Sequence, residues 1–137
     1  MSQTKHVIGY CCEHGAYGAA EKAGVNRRQY SPEVQIIQVP CIARVDVLHL
    51  LQAFREGADA VFVAGCLEKN CHHLYGNIEA RKRVDQAKHI LDSLGLNGER
   101  LELFNLASNQ GREFKESVDI MLERVERLGP NPLGVHR

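Results

Sequence analysis

The chain carries no excess of charge of either sign: Lys and Arg together number 17, and so do Asp and Glu. That balance argues against a nucleic-acid-binding protein, which needs a basic face. It also leaves association with a protein partner unopposed by self-repulsion. No apolar run approaches the roughly 20 residues of a membrane-spanning helix. The opening MSQTKHVIGY has too short an apolar core for a secretory signal, so a cytoplasmic protein with no membrane insertion is expected. There is no internal repeat and no low-complexity tract. Several catalytic signatures are missing too. The GAYG after the first apolar run lacks the GxGxxG pattern and the Walker lysine. Gly18 and His72 stand six residues after Cys12 and Cys66, where a thiol-based oxyanion chemistry would want an arginine. Cys11-Cys12 is not a CxxC redox pair.

What remains is an ordinary globular composition, 44% hydrophobic and 25% charged, at a length of 137 residues that suits one domain. A single domain over 1–137 is expected, with 129–137 as a flexible or partner-docking tail. Four apolar runs alternate with helical patterns. The runs are His6 to Cys11, Val34 to Val39, Ala60 to Ala64 and Leu101 to Leu106. The third is β-branched and apolar throughout, as a strand buried on both faces must be. Pro40 cannot donate to a ladder and closes the second.

Between the first two runs, Glu13 to Gly24 predicts a helix with alanines on one face. Asp46 is a good N-cap for a second helix carrying Val47, Leu50, Leu51 and Phe54, with Gly57 as its stop. A third covers about Ile78 to Leu94, with Val84, Ala87, Ile90, Leu91 and Leu94 inward. The last carries Phe114, Val118, Met121, Leu122, Val125 and Leu128, and ends at Gly129 and Pro130. Strand and helix alternating in this way predict an α/β fold: an open four-stranded parallel sheet flanked by helices, flavodoxin-like and three-layered.

The five cysteines fall at the predicted strand ends. Cys11 and Cys12 close the first run, Cys41 follows the second, and Cys66 and Cys71 follow the third. Open parallel sheets bind ligands outside the carboxyl ends of their strands, and reduced thiols in a cytosolic protein suit metal binding or catalysis better than disulfides. A structural zinc or an iron–sulfur cluster needs four such donors in one small volume. Cys41, Cys66 and Cys71 supply three. Cys11 or Cys12 supplies the fourth, because neighbouring strand residues point to opposite faces. His14, His72 and His73 sit beside the cysteines, where loop solvation or hydrogen bonds to sulfur account for them. Arg81-Lys82-Arg83 reads first as a solvated helix face and second as a contact for an acidic partner; Arg27-Arg28 is open in the same way. A reductase using Cys11 or Cys12 directly is a rival reading, testable as a low-pKa thiol in metal-free protein. A further variant has Cys11 adding redox chemistry to an electron relay.

The stretches VIGYCCEHGAYGAAEKAG, RRQYSPEVQIIQVPC, ARVD, EGADAVFVAGC and CHHLYGNIEARKRV resemble the delta iron–sulfur subunit family of methyl-viologen-reducing hydrogenase, which also occurs fused to heterodisulfide-reductase-like proteins. The resemblance runs from about His6 to Leu128. It implies a single 2Fe–2S cluster and a role in electron transfer without turnover of its own. The implied partners are a hydrogenase or formate dehydrogenase module and a flavin-containing, electron-bifurcating flavoprotein of heterodisulfide-reductase type. Residue by residue, Cys41, Cys66 and Cys71 match family cysteines. Aligning VIGY puts Cys12 on the first cysteine of the family's CxxC and Gly15 on the second, and Asn70 stands where an aspartate is frequent. The implied ligand set is Cys12, Cys41, Cys66 and Cys71, with Cys11 in reserve. The rival function is a zinc-stabilised docking module with no redox role.

Overall fold

The computed structural model describes residues 6–12, 34–39, 42, 45–65, 76–106 and 111–132, without the side chains of 76–79. Cys41, Cys66, Cys71, His14, His72, His73, Arg27, Arg28, Pro40 and the expected helix from Glu13 to Gly24 lie outside the described residues.

Four strands form one parallel sheet: β1 (Val7–Cys12), β2 (Val34–Val39), β3 (Ala60–Gly65) and β4 (Leu101–Asn105). Their spatial order is β2-β1-β3-β4, the flavodoxin-type arrangement in which strand order reverses between β1 and β3. The two central strands are almost continuously apolar. β3 is buried at every position, as a strand covered on both faces requires. β1 runs one residue further than its apolar pattern predicts and takes in Cys12; a thiol is apolar enough to be buried as core.

Among the described residues three α-helices cover the sheet: α1 (Val47–Arg55), α2 (Gly76–Ser93) and α3 (Gly111–Leu128). Asp46 caps α1 as expected, by a reciprocal pair. The His49 amide donates to Asp46 Oδ1 at 2.9 Å, and the Asp46 amide donates to His49 Nδ1 at 3.3 Å. Histidine thus fills the place usually held by Glu or Gln in a capping box. Gly57 (φ 111°) and Gly129 (φ 82°) stop α1 and α3 in the left-handed region, where a side chain would be strained.

Right-handed crossovers put α1 and α2 side by side on one face. α3 covers the other, where Phe114 meets Phe62 of β3 edge-on (ring centroids 6.0 Å) and Phe104 of β4 meets the same ring at 6.1 Å. Gly9 faces Phe62 across the sheet. A Cβ built on Gly9 would sit 2.7 Å from Phe62 Cε1 and Cε2, so the ring lies flat against the β1 backbone only because residue 9 has no side chain.

One expectation about the core needs correcting. The inner stripe of α2 is Ala80, Val84, Ala87 and Leu91, while Ile90 (38% exposed) and Leu94 (65%) are turned out. Ile90 lies 100° round the helix from Leu91, and Leu94 falls past the helix end in the turn before Gly95.

Candidate metal centre

The two edges of the sheet differ in chemistry. At the amino edge, three polar side chains are buried: Asp59 (1% exposed), Arg100 (4%) and Asn131 (1%). The Asp59 carboxylate accepts the His6 amide at Oδ2 and the Asn131 amide at Oδ1, both at 2.9 Å. Asn131 Nδ2 donates to the carbonyls of Phe54 (2.8 Å) and Ala58 (2.7 Å). The Arg100 guanidinium donates to the carbonyls of Leu96, Asp59 and Gly129 at 2.7–3.0 Å, and at 3.4 Å to those of Leu128 and Pro130. It neutralises the C-terminal end of α3, where a cation is favoured. Gly129 to Asn131, the first residues of the expected flexible or partner-docking tail, are bonded at this edge, and the amides of His6 and Asn131 meet on one carboxylate. Nothing in the sequence marks this lock, since Arg100 reads as a solvated residue before a strand and Asn131 as a turn residue between prolines.

The carboxyl edge carries the thiols. Cys11 and Cys12 end β1, the strand beside the order reversal, and both are buried. Cys11 pairs in register with Gln38 of β2 and Ala64 of β3, and Cys12 with Val39. The register partner of Cys11 on β3 is small, Ala64, and Gly65 follows it in the strand. Alternation places Cys11 on the face of Gly9, under α3, and Cys12 on the face of Tyr10, under α1 and α2. The Tyr10 phenol fits that assignment: burial raises its pKa, and the Glu56 carboxylate at the end of α1 raises it further. Burial likewise pushes the Cys11 thiol far up, with Cys12 adding to the shift. Cys11 is therefore a neutral, protonated thiol, the opposite of the exposed low-pKa nucleophile that direct reductase chemistry on it requires.

In sequence, Cys41 follows the last residue of β2 by two positions, and Cys66 follows that of β3 by one. Adjacent strands are about 4.8 Å apart, so the ends of β2, β1 and β3 span roughly 10 Å. Among the described residues no three Cys, His, Asp or Glu side chains come together to hold a metal. What is described fits a thiolate-ligated group in donor type and in position at the strand-order reversal.

Residues 7–129 match the family described as methyl-viologen-reducing hydrogenase, delta subunit. The chain belongs to that family. It is 42% identical over 127 residues to the vhu iron–sulfur subunit of the F420-non-reducing hydrogenase of Methanocaldococcus jannaschii, covering 93% of this chain and 95% of the relative. The protein of the same name from Methanococcus maripaludis is 45% identical over the same length and coverage. The chain is also 32% identical over 129 residues to part of the ferredoxin/F420H2-dependent CoB-CoM heterodisulfide reductase of Methanosarcina acetivorans, in a polypeptide of which it covers 16%, against 94% of this chain. This delta subunit fold thus occurs both as a chain of its own and within a much longer one.

Proposed function

We propose that the chain is an electron-transfer subunit holding one 2Fe–2S cluster through Cys12, Cys41, Cys66 and Cys71. It would relay electrons in the cytoplasm between a hydrogenase or formate dehydrogenase module and a flavin-containing, electron-bifurcating flavoprotein of heterodisulfide-reductase type. The observation that carries this reading is the buried thiol pair ending β1 at the strand-order reversal, in a chain of this family. Names of the relatives support it: several are iron–sulfur subunits, and another belongs to a heterodisulfide reductase. A cluster of this type supplies one-electron redox chemistry when bound. The protein's contribution is placement. β1 presents Cys12 from a buried position held in register with β2. Cys11, on the other face of the strand, is the reserve ligand. Among the described residues no helix is long and apolar enough to cross a membrane.

Anaerobic purification followed by iron, labile-sulfide and zinc analysis and EPR of the dithionite-reduced protein tests the proposal. Two irons and two sulfides per chain, with an EPR signal that appears on one-electron reduction, are expected. Stoichiometric zinc with no iron and no signal would refute it in favour of a docking module.

A further inference from the structure

The proposed ligands come from different strand ends, and strand pairing stops short of two of them. β2 pairs with β1 as far as Val39, opposite Cys12, and Cys41 lies two residues beyond. β3 pairs with β4 as far as Gly65, opposite Asn105, and Cys66 is the next residue. Past a strand end the ladder no longer fixes the backbone. A ligand there needs another anchor if it is to be held within the roughly 0.5 Å that a binding site demands.

Each of the two has such an anchor beside it. The residue after Cys41 is Ile42, and its side chain is fully buried. The Ile42 carbonyl accepts the Val45 amide at 3.0 Å. Val45 is buried as well, and Asp46 follows with the reciprocal cap that starts α1. The turn from 42 to 45 is thus fastened at one end by a side chain in the core and at the other by a helix. One trans peptide, about 3.8 Å between Cα atoms, separates Cys41 from this fixed point. On the other side of Cys12, the Leu106 amide donates to the Gly65 carbonyl at 2.7 Å. That carbonyl belongs to the peptide whose nitrogen is that of Cys66, and a peptide is planar, so the bond holds the plane that leads into Cys66. Leu106 stands one residue past the end of β4 and is buried. Segments beyond strand ends ordinarily run over the surface. Here two such positions carry apolar side chains sunk in the core, and each is one peptide unit from a proposed ligand.

From this placement we infer that Ile42 and Leu106 are the positioning residues of the thiol site: Ile42 fixes the backbone beside Cys41, and Leu106 that beside Cys66, so that both thiols are presented toward Cys12. Neither side chain can donate to a metal. They act through the ligands, as the outer partners of a metal site do. Part of the entropy of ordering the ligands is then lost on folding rather than on binding. The inference rests on the cluster and ligand set proposed above.

The test uses the anaerobically purified holo-protein. Iron release to excess chelator under native conditions is one readout, and the EPR spectrum of the reduced protein is the other. The native protein is compared with Ile42→Ala, Leu106→Ala and Leu91→Ala. Leu91 is a core control, fully buried near the end of α2, where Asp92 accepts the Gly98 amide before β4 begins. Iron release about 10–100-fold faster than native is expected in Ile42→Ala and Leu106→Ala, with a changed EPR line shape. Leu91→Ala should keep a rate and a spectrum close to native. Ile42→Val removes a single methyl group and keeps the fold should Ile42→Ala lose it; it should show the same changes in smaller degree. Equal acceleration in all three alanine variants with unchanged spectra would overturn the inference, because Ile42 and Leu106 would then be core packing alone. Native release and a native spectrum in Ile42→Val and Leu106→Ala would also overturn it, while leaving the relay intact. A native protein that holds zinc and no iron would instead bring down the cluster reading itself, and this inference with it.

Discussion

Replacing Gly9 by alanine should destabilise the protein, and removing the ring opposite should reverse the sign of that effect. Gly9 is in the middle of β1 and does not have a positive φ. Its backbone would accept alanine, and in isolation the change should stabilise by about 0.4–1 kcal/mol through the unfolded chain. The Phe62 ring forbids it. A new Cβ would lie 2.7 Å from two ring carbons, against about 3.5–4.0 Å for ordinary carbon contacts, so the ring must retreat by roughly 1 Å. It has nowhere to go: Phe62 is fully buried, with Phe104 and Phe114 in T-shaped contact with it. Overpacking of this kind costs about 1–3 kcal/mol.

Phe62→Leu alone gives up two edge-to-face pairs, each worth about 0.5–1.5 kcal/mol, but opens the space. In that background Gly9→Ala should be neutral or stabilising. The coupling energy between the two changes should then be about 1.5–3 kcal/mol, within the range for residues in contact. Urea unfolding of the four proteins of the cycle measures it, with equal m-values as the check on two-state behaviour. A Gly9→Ala cost that is the same in both backgrounds would refute the close-approach argument. So would a Gly9→Ala protein more stable than native.

Three further outcomes are expected. Cys12→Ser should lose the cluster while Cys11→Ser retains it, judged by iron content and EPR; the opposite pattern would move the fourth ligand to Cys11. Asn131→Ala should cost about 1–3 kcal/mol, because the buried Ala58 carbonyl loses its donor while that of Phe54 keeps only the Gly57 amide; a thermal midpoint lowered by less than about 2 °C would refute the amino-edge lock. Burial of Glu102 raises its pKa, but the Arg124 hydrogen bond, the Lys88 charge and the Leu103 amide outweigh that and hold it below the ordinary carboxylate range. A depressed carboxylate stabilises the fold above its unfolded pKa, about 4.3, and that stability is lost as pH falls through the folded value. Glu102→Gln should therefore be less stable than native at neutral pH, with the gap closing below about pH 4; a gap that is constant with pH would contradict the assignment.

The alternation of apolar runs and helical patterns was enough to predict a four-stranded parallel sheet, because buried parallel strands must be almost wholly apolar and their crossovers long. The cap at Asp46 and the stops at Gly57 and Gly129 were legible for the same reason: each depends on the chemistry of one residue and its immediate neighbours. The inner stripe of α2 was only partly legible. Periodicity marks Val84, Ala87 and Leu91, but it does not say how far round the helix the sheet extends, and Ile90 and Leu94 fall outside it.

For the site, residue type and strand-end position were enough to single out the thiols, and motif resemblance was enough to propose their partners. Tertiary structure alone decided the rest. It set the strand order that puts β1 beside the reversal, the helices that lie over the faces of Cys11 and Cys12, the ring that makes Gly9 obligatory, and the carboxylate that joins residue 6 to residue 131. Each of these depends on groups far apart in the chain meeting in space. Local pattern records the preference of a segment for burial or for a turn, and carries no information about which distant segment will supply the contact.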